Sequence, residues 1–143
     1  MSDVFRISAV ARVDPNAEQE LAAWRGDLER GIIDDPSETR ARLDAYGRGD
    51  WVIACLDLFA LTCDDDRVIR YPAGTIPGCW FEVGSDRQNV SHAREMVANN
   101  LELVRDEVRG QGVDAALSAL ERADIAVELD DLLATKLGHG SAA

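Results

Sequence analysis

The chain has 143 residues with 27 acidic and 15 basic side chains, a net charge of −12, and 46% of its residues are hydrophobic. That apolar content supports a packed core, since a chain of this length buries about 70% of the surface it exposes when unfolded. The acidic excess argues against direct nucleic-acid binding, which needs a basic footprint. No signal peptide or membrane-spanning run is visible, so a cytoplasmic protein without a membrane partner is expected.

The first predicted element is a half-buried strand over residues 4–13, where apolar and polar side chains alternate. A helix then begins at the N-cap acceptor Asp14 and runs to about Gly31. A second helix begins at Ser37 and ends at Gly47. The N-terminal third of the chain therefore predicts one strand followed by two helices.

Residues 51–63 form the strongest predicted strand, because both of its faces are apolar, as in a central strand covered on both sides. Asp57 is the only charged residue within it. Two shorter strands are predicted at 67–71 and 79–83, separated by a loop rich in proline and glycine. The short connections favour antiparallel pairing of these strands.

Asp64, Asp65 and Asp66 fill the first of those connections. Aspartate is favoured in turns because its carboxylate accepts hydrogen bonds from nearby backbone N–H groups, so a three-residue hairpin loop is predicted. A calcium-binding loop does not fit the spacing. An EF-hand counted from Asp64 needs glycine at the position of Ile69 and glutamate at that of Thr75. No metal and no cofactor are expected.

The C-terminal half predicts a long helix over residues 86–110, a helix over 113–122 and a final helix before residue 139. The segment 124–129 is ambiguous between strand and helix. Residues 139–143 are expected to fray at the end of one domain spanning 1–138. The predicted fold is α+β: helices packed on an antiparallel sheet of three or four strands, in the order β-α-α-β-β-β-α-α.

The three cysteines are predicted to be buried free thiols. Cys55 and Cys63 are eight residues apart in one strand, about 26 Å at strand rise, which is too far for a disulfide. No Cys/His cluster indicates zinc. A nucleophilic Cys79 with His92 as its base is the catalytic alternative. Cys79 lies in an apolar run, and His92 lies opposite the apolar stripe of its helix, so a packed thiol and a solvated histidine are favoured.

Asp57 and Glu82 are the carboxylates expected to be partly buried, because apolar residues flank both. A close pair of buried carboxylates can do acid–base chemistry. Pairing with an arginine such as Arg67 or Arg70, or an edge position open to water, is favoured instead, since structural ion pairs also perturb carboxylates. Neither of the glycine motifs that cradle phosphates, GxxxxGKS/T and GxGxxG, occurs. No enzymatic activity is expected.

Residues 40–108 resemble a group of short uncharacterised proteins from actinobacteria and their phages and plasmids. Those proteins share an A-Y-x-x-G-D/E-W motif before a long strand and a G-L-W-G-I-E-S-D segment before an acidic helix. The matching positions here are Ala45, Tyr46, Gly49, Asp50, Trp51, Gly78, Trp80, Ser85 and Asp86. This chain has one extra residue between Trp80 and Ser85. The resemblance implies a mobile-element source and an architecture, without an activity or a site.

The charge and this resemblance together predict a small acidic interaction protein that binds a host or phage protein with a basic surface. One form of this prediction is an anti-defence inhibitor. Apolar faces on the C-terminal helices also allow a homodimer. The candidate acidic and aromatic binding surface consists of Asp64, Asp65, Asp66, Trp80 and Glu82.

The alternative hypothesis is a small-molecule-binding protein or small enzyme. Its pocket would be lined by the aromatic residues Trp51 and Trp80 and by the carboxylates Asp57 and Glu82. Convergence of these four side chains in one cavity is the observation that separates the two hypotheses.

Overall fold

A four-stranded sheet forms the centre of the computed structural model, which describes residues 3–138. Its strands β1 (Val4–Val13), β2 (Trp51–Asp64), β3 (Arg67–Glu82) and β4 (Asp124–Leu129) lie in the order β3-β2-β1-β4. β2 pairs antiparallel with β1 and β3, whereas β4 runs parallel to β1. The α+β class is confirmed. The purely antiparallel sheet is wrong, because the ambiguous segment is a strand that joins β1 in parallel.

Six helices complete the described part of the chain. They are α1 (Ala17–Glu29), α2 (Pro36–Gly47), α3 (Asp86–Ala98), α4 (Leu101–Arg109), α5 (Leu117–Arg122) and α6 (Asp131–Lys136). The observed order is β-α-α-β-β-α-α-α-β-α, which corrects the predicted one. The single helix predicted over 86–110 is two helices. It breaks at Asn99 and Asn100, where the Asn100 side-chain amide donates to the Met96 carbonyl at 2.7 Å and satisfies one of the last carbonyls of α3.

β3 is one continuous strand, where the sequence predicts two short strands joined by a loop. Pro72 and Pro77 lie within it, and an edge strand tolerates proline because one of its sides has no ladder to complete. Two register shifts against β2 each add one residue to β3, as β-bulges do. The edge position thus reconciles a proline-rich segment with strand structure.

The turn between β2 and β3 is tighter than predicted. Asp64 pairs with Arg67, which leaves Asp65 and Asp66 as a two-residue loop. Both have positive φ, 48° and 63°, as the central residues of a type I′ hairpin turn must. Aspartate tolerates this left-handed region better than most residues do, but less well than glycine.

Hydrophobic clusters cover the two faces of the sheet unequally. The larger cluster includes Leu56 and Leu58 of β2 and lies against α3, α4, α5 and α6. The smaller one contains Leu21, Leu43 and Ile53, under α1 and α2. Since side chains alternate along a strand, Ile53 and Asp57 point to the same face. Asp57 lies beyond the smaller cluster, so α1 and α2 cover only one end of that face.

None of the helices within residues 3–138 has the length and apolar character needed to cross a bilayer. The tail expected to fray, residues 139–143, lies outside the described residues.

Candidate functional site

A recess of about 620 Å³ is lined by residues of α2, β2, β3 and α3. This volume falls within the range of roughly 300–1,000 Å³ that is typical of small-molecule sites. Residues of β2 and β3 form the floor of the recess, and residues of α2 and α3 form its walls. Most of these residues recur at the two-residue spacing of one strand face or the four-residue spacing of one helix face.

The floor comes from the ends of β2 and β3. Gly78, Trp80 and Glu82 are two residues apart on β3 and therefore share one face of the sheet. Trp51, at the start of β2, is the cross-strand partner of Glu82. Gly78 has φ +71°, and its N–H donates to the buried Asp14 carboxylate at 3.2 Å, which fixes the bend of β3 beside the recess.

Trp80 is the centre of an aromatic cluster. Its ring stacks on Trp24, with centroids 5.5 Å apart and planes 12° from parallel. Tyr46 and Trp51 meet it edge-on, at 6.1 and 6.3 Å. Burial, followed by the neighbouring Glu18 carboxylate, raises the pKa of Tyr46 above its ordinary value. Trp51 and Trp80, which lie 62° apart in plane, form an angular corner of the recess, and all three tryptophans of the chain belong to this cluster.

Glu82 is held in place through its backbone. The side chain of Asn89, only 4% exposed, accepts a hydrogen bond from the Glu82 N–H at 2.9 Å and donates one to its carbonyl at 2.8 Å. Asn89 thus pairs with the end of β3 as another strand would. The Glu82 carboxylate itself makes no hydrogen bond and no ion pair with any residue from 3 to 138.

The two helical walls each present one face. Gln88, His92 and Met96 are four residues apart on α3, and Glu38 and Arg42 have the same spacing on α2. The remaining α2 residues of the wall are alanines, Ala41 and Ala45. Arg42 lies 3.4 Å from Glu38, and both side chains are more than half exposed. The α2 wall therefore consists of two small side chains and an arginine that already has a carboxylate beside it.

Three of the four side chains of the predicted pocket converge here: Trp51, Trp80 and Glu82 line the same recess. Asp57 does not reach it. Its carboxylate accepts hydrogen bonds from Arg12, at 2.6 Å to Nε and 3.3 Å to Nη2, and from the Thr75 hydroxyl at 3.0 Å.

Asp57 is paired with an arginine, as predicted, but the partner is Arg12 rather than Arg67 or Arg70. Arg70 lies instead over the Phe59 ring, 3.5 Å from its centroid. The hydrogen bond from Arg12 lowers the pKa of Asp57 below its ordinary value, against the opposing effect of burial. Asp57 acts as a charged tie between β1 and β2 on the part of the sheet that α1 and α2 leave uncovered.

The five residues of the predicted binding surface are not adjacent. Asp64, Asp65 and Asp66 are exposed at the hairpin turn, whereas Trp80 and Glu82 lie at the other end of β3. The separation along the strand is roughly 40 Å at about 3.3 Å per residue. The acidic turn and the aromatic recess are thus two separate features.

Two of the three predicted buried thiols are buried, while Cys63 is exposed near the hairpin turn. Burial raises the pKa of Cys79 to about 11, so this side chain is a protonated thiol near neutral pH. Cys79 also faces the larger core cluster and is absent from the recess that His92 lines. The pairing of Cys79 with His92 as nucleophile and base has no geometric support.

Sequence reasoning missed the walls of the recess. His92, predicted to be a solvated helix residue, is indeed exposed but faces this site together with Glu38. The four-residue spacing of Gln88, His92 and Met96 was visible in the sequence. What the sequence did not provide was the position of α2 opposite that helical face.

No group of three or more His, Cys, Asp or Glu side chains within residues 3–138 is arranged to hold a metal ion. Comparison of the chain with protein-family models, with curated proteins and with solved structures finds no match.

Proposed function

We propose that this protein binds a small molecule in the recess lined by α2, β2, β3 and α3. One observation carries the proposal: Trp51, Trp80 and the unpartnered carboxylate of Glu82 line a single cavity of ligand size. Small-molecule sites combine aromatic surface with a few positioned polar groups, and the described recess has both. The stacked Trp24 and the Asn89 clamp hold that surface in place without a ligand.

We propose binding rather than catalysis. A general acid–base or nucleophilic site needs a hydrogen-bonded set of reactive groups, such as a base oriented by a carboxylate. Within residues 3–138 no hydrogen bond joins His92 to any carboxylate, cysteine or hydroxyl group. The polar side chains of the recess are therefore better suited to recognising a ligand than to converting one.

The proposal is tested by comparing ligand binding to the wild-type protein with binding to a variant whose recess is filled by larger side chains. Saturation-transfer NMR with a panel of acidic, neutral and basic metabolites should give hits with the wild-type protein. The variant A41L/A45L enlarges two side chains of the α2 wall while keeping good helix formers, and it should lose those hits. The matched control A22L/A23L, on exposed positions of α1 outside the recess, should keep them. A panel without hits, or hits indifferent to the filled recess, refutes the proposal.

An acidic interaction protein remains a second proposal, supported by the net charge of −12 and by the exposed hairpin turn. There, Asp64, Asp65 and Asp66 lie next to Val68, which is 59% exposed. An apolar residue beside three carboxylates suits a basic protein partner, such as the host or phage protein that the resemblance suggests. Capture of one defined partner at low salt, weakened at high salt and lost in D64N/D65N/D66N, would support it. Capture unchanged in that variant would refute it.

A further inference from the structure

We infer that the ligand of the recess is a small organic cation, whose alkylated ammonium or comparable group contacts Trp51 and Trp80 and is neutralised by Glu82. This inference rests on the proposed function and names the chemical class of its ligand. The aromatic surface, the charge balance and the volume of the recess support it independently of one another.

The aromatic corner is suited to a cation. Indole has the most electron-rich π face among protein side chains, and a cation within about 6 Å of its ring centroid is attracted to it. Trp51 and Trp80 are both half-buried and both line the recess, with their planes 62° apart. Two indoles at such an angle surround part of a rounded alkylammonium group, as the aromatic cages of quaternary-ammonium sites do.

The charge balance of the recess selects the same ligand class. Among the described lining residues the fixed charges are Glu38, Glu82 and Arg42, which sum to one negative charge. Arg42 is next to Glu38, so Glu82 is the carboxylate without a counter-ion. The net charge of −12 adds a negative potential that attracts cations and repels anions.

The volume indicates that the cation carries a further organic group. About 620 Å³ is several times the size of a trimethylammonium group, which fills little more than the corner next to the two indoles. The rest of the recess is bounded by Ala41, Ala45 and Met96, which offer apolar contact, and by the Gln88 amide. The inferred ligand is therefore a monocation with a short, mainly apolar extension.

Matched probes separate charge from shape. Choline and 3,3-dimethylbutan-1-ol have the same outline, but only choline is charged, and benzyltrimethylammonium adds an apolar extension. Because the chain's only tryptophans are Trp24, Trp51 and Trp80, intrinsic fluorescence reports on the recess, and calorimetry gives the affinity. We expect saturable binding, with choline favoured over the alcohol by roughly tenfold and benzyltrimethylammonium tighter than choline.

Two charge variants test the role of Glu82. E82Q keeps the shape of the side chain and should weaken choline binding by about five- to tenfold while leaving the alcohol unchanged. E128Q makes the same change in net charge at an exposed position of β4, at the opposite edge of the sheet from β3, and should leave both affinities unchanged. Circular dichroism of each variant confirms that it is folded.

The outcomes distinguish this inference from the proposed function. Suppose that the metabolite panel gives hits, that A41L/A45L abolishes them, and that these ligands are neutral or anionic. The proposed binding function then stands, and the inference that the ligand is a cation is refuted. Equal affinity for choline and its neutral isostere, or an E82Q effect no larger than that of E128Q, also overturns the inference. A panel without hits removes the proposed function itself.

Discussion

Replacing Asp57 by asparagine tests the charged tie between β1 and β2. The carboxylate accepts two hydrogen bonds from Arg12 and one from Thr75, and its side chain is 28% exposed. A hydrogen bond to a charged group contributes about 1.5–3 kcal/mol when buried, and an exposed ion pair about 0–1 kcal/mol. Because Arg12 is itself 37% exposed, we expect D57N to cost about 1 kcal/mol, or roughly 3 °C in Tm for a chain of this length.

The lowered pKa of Asp57 also predicts how the stability difference between the wild-type protein and D57N changes with pH. The Arg12 hydrogen bond lowers the pKa of Asp57 from 3.8, so ionisation stabilises the folded state at pH values well above 3.8. That contribution is lost as the pH falls below 3.8 and through the lower pKa of the folded state. The difference in unfolding free energy between the wild-type protein and D57N should therefore be largest near pH 7 and shrink towards pH 2–3.

Urea unfolding followed by circular dichroism, at pH 7 and at pH 3, measures this difference without the screening that guanidinium would add. D34N, at an exposed position, matches the change in net charge and should differ from the wild-type protein by less than about 0.5 kcal/mol. Equal stabilities of D57N and wild type at pH 7, or a gap that stays the same at pH 3, would refute the reasoning.

Three further outcomes are expected. The variant D65N/D66G should raise the free energy of unfolding by about 1 kcal/mol, because Asn-Gly suits the two positive φ values of the turn; a lower urea midpoint would contradict this. N89A should lower it by about 1–2 kcal/mol, because two part-buried backbone groups of β3 lose their partner; an unchanged midpoint would argue against the clamp. Iodoacetamide at pH 8 should add one group per folded chain, at Cys63, since Cys55 and Cys79 are buried and burial raises the pKa of both thiols; mass spectrometry of a doubly modified native chain would disprove it.

Alternation of apolar and polar residues was enough to locate β1 and β2, because both strands are long and their core-facing side chains recur at every second position. The same pattern exists in β4, where Ile125, Val127 and Leu129 face the core next to β1. There it spans only six residues and runs into Leu132 and Leu133, which fit a helix equally well. What decides in favour of a strand is pairing with β1, a contact between distant parts of the chain.

The position of β3 at the edge of the sheet was likewise invisible in the sequence. Pro72, Gly74 and Pro77 normally interrupt a strand, and the loop predicted there followed that rule. Only when the neighbours of β3 are known does it become clear that one of its sides has no ladder. The sequence therefore identified the local preference correctly, and the tertiary environment overrode it.

For the candidate site, the sequence supplied the floor and not the walls. Trp51 and Trp80 were identified as aromatic residues of predicted strands, and Glu82 as a carboxylate flanked by apolar residues. Asp57 was grouped with them on the basis of partial burial alone, and its true partner on β1 depends on the register Arg12–Cys55 and Val10–Asp57. The sequence of one strand can predict that a carboxylate is partly buried and needs a partner. Which residue is that partner depends on the register with the neighbouring strand.

The contrast between the two acidic features of the chain explains why we place function at the recess. Three carboxylates at the hairpin turn are exposed to water, which stabilises their charges without help from the protein. Glu82 differs, because the buried Asn89 fixes its backbone beside two indole rings whose π faces are also electronegative. An unpaired carboxylate next to such surfaces interacts most favourably with a bound cation. One ligand group then neutralises the carboxylate and contacts both rings. Surface charge that serves solubility alone needs no such positioning.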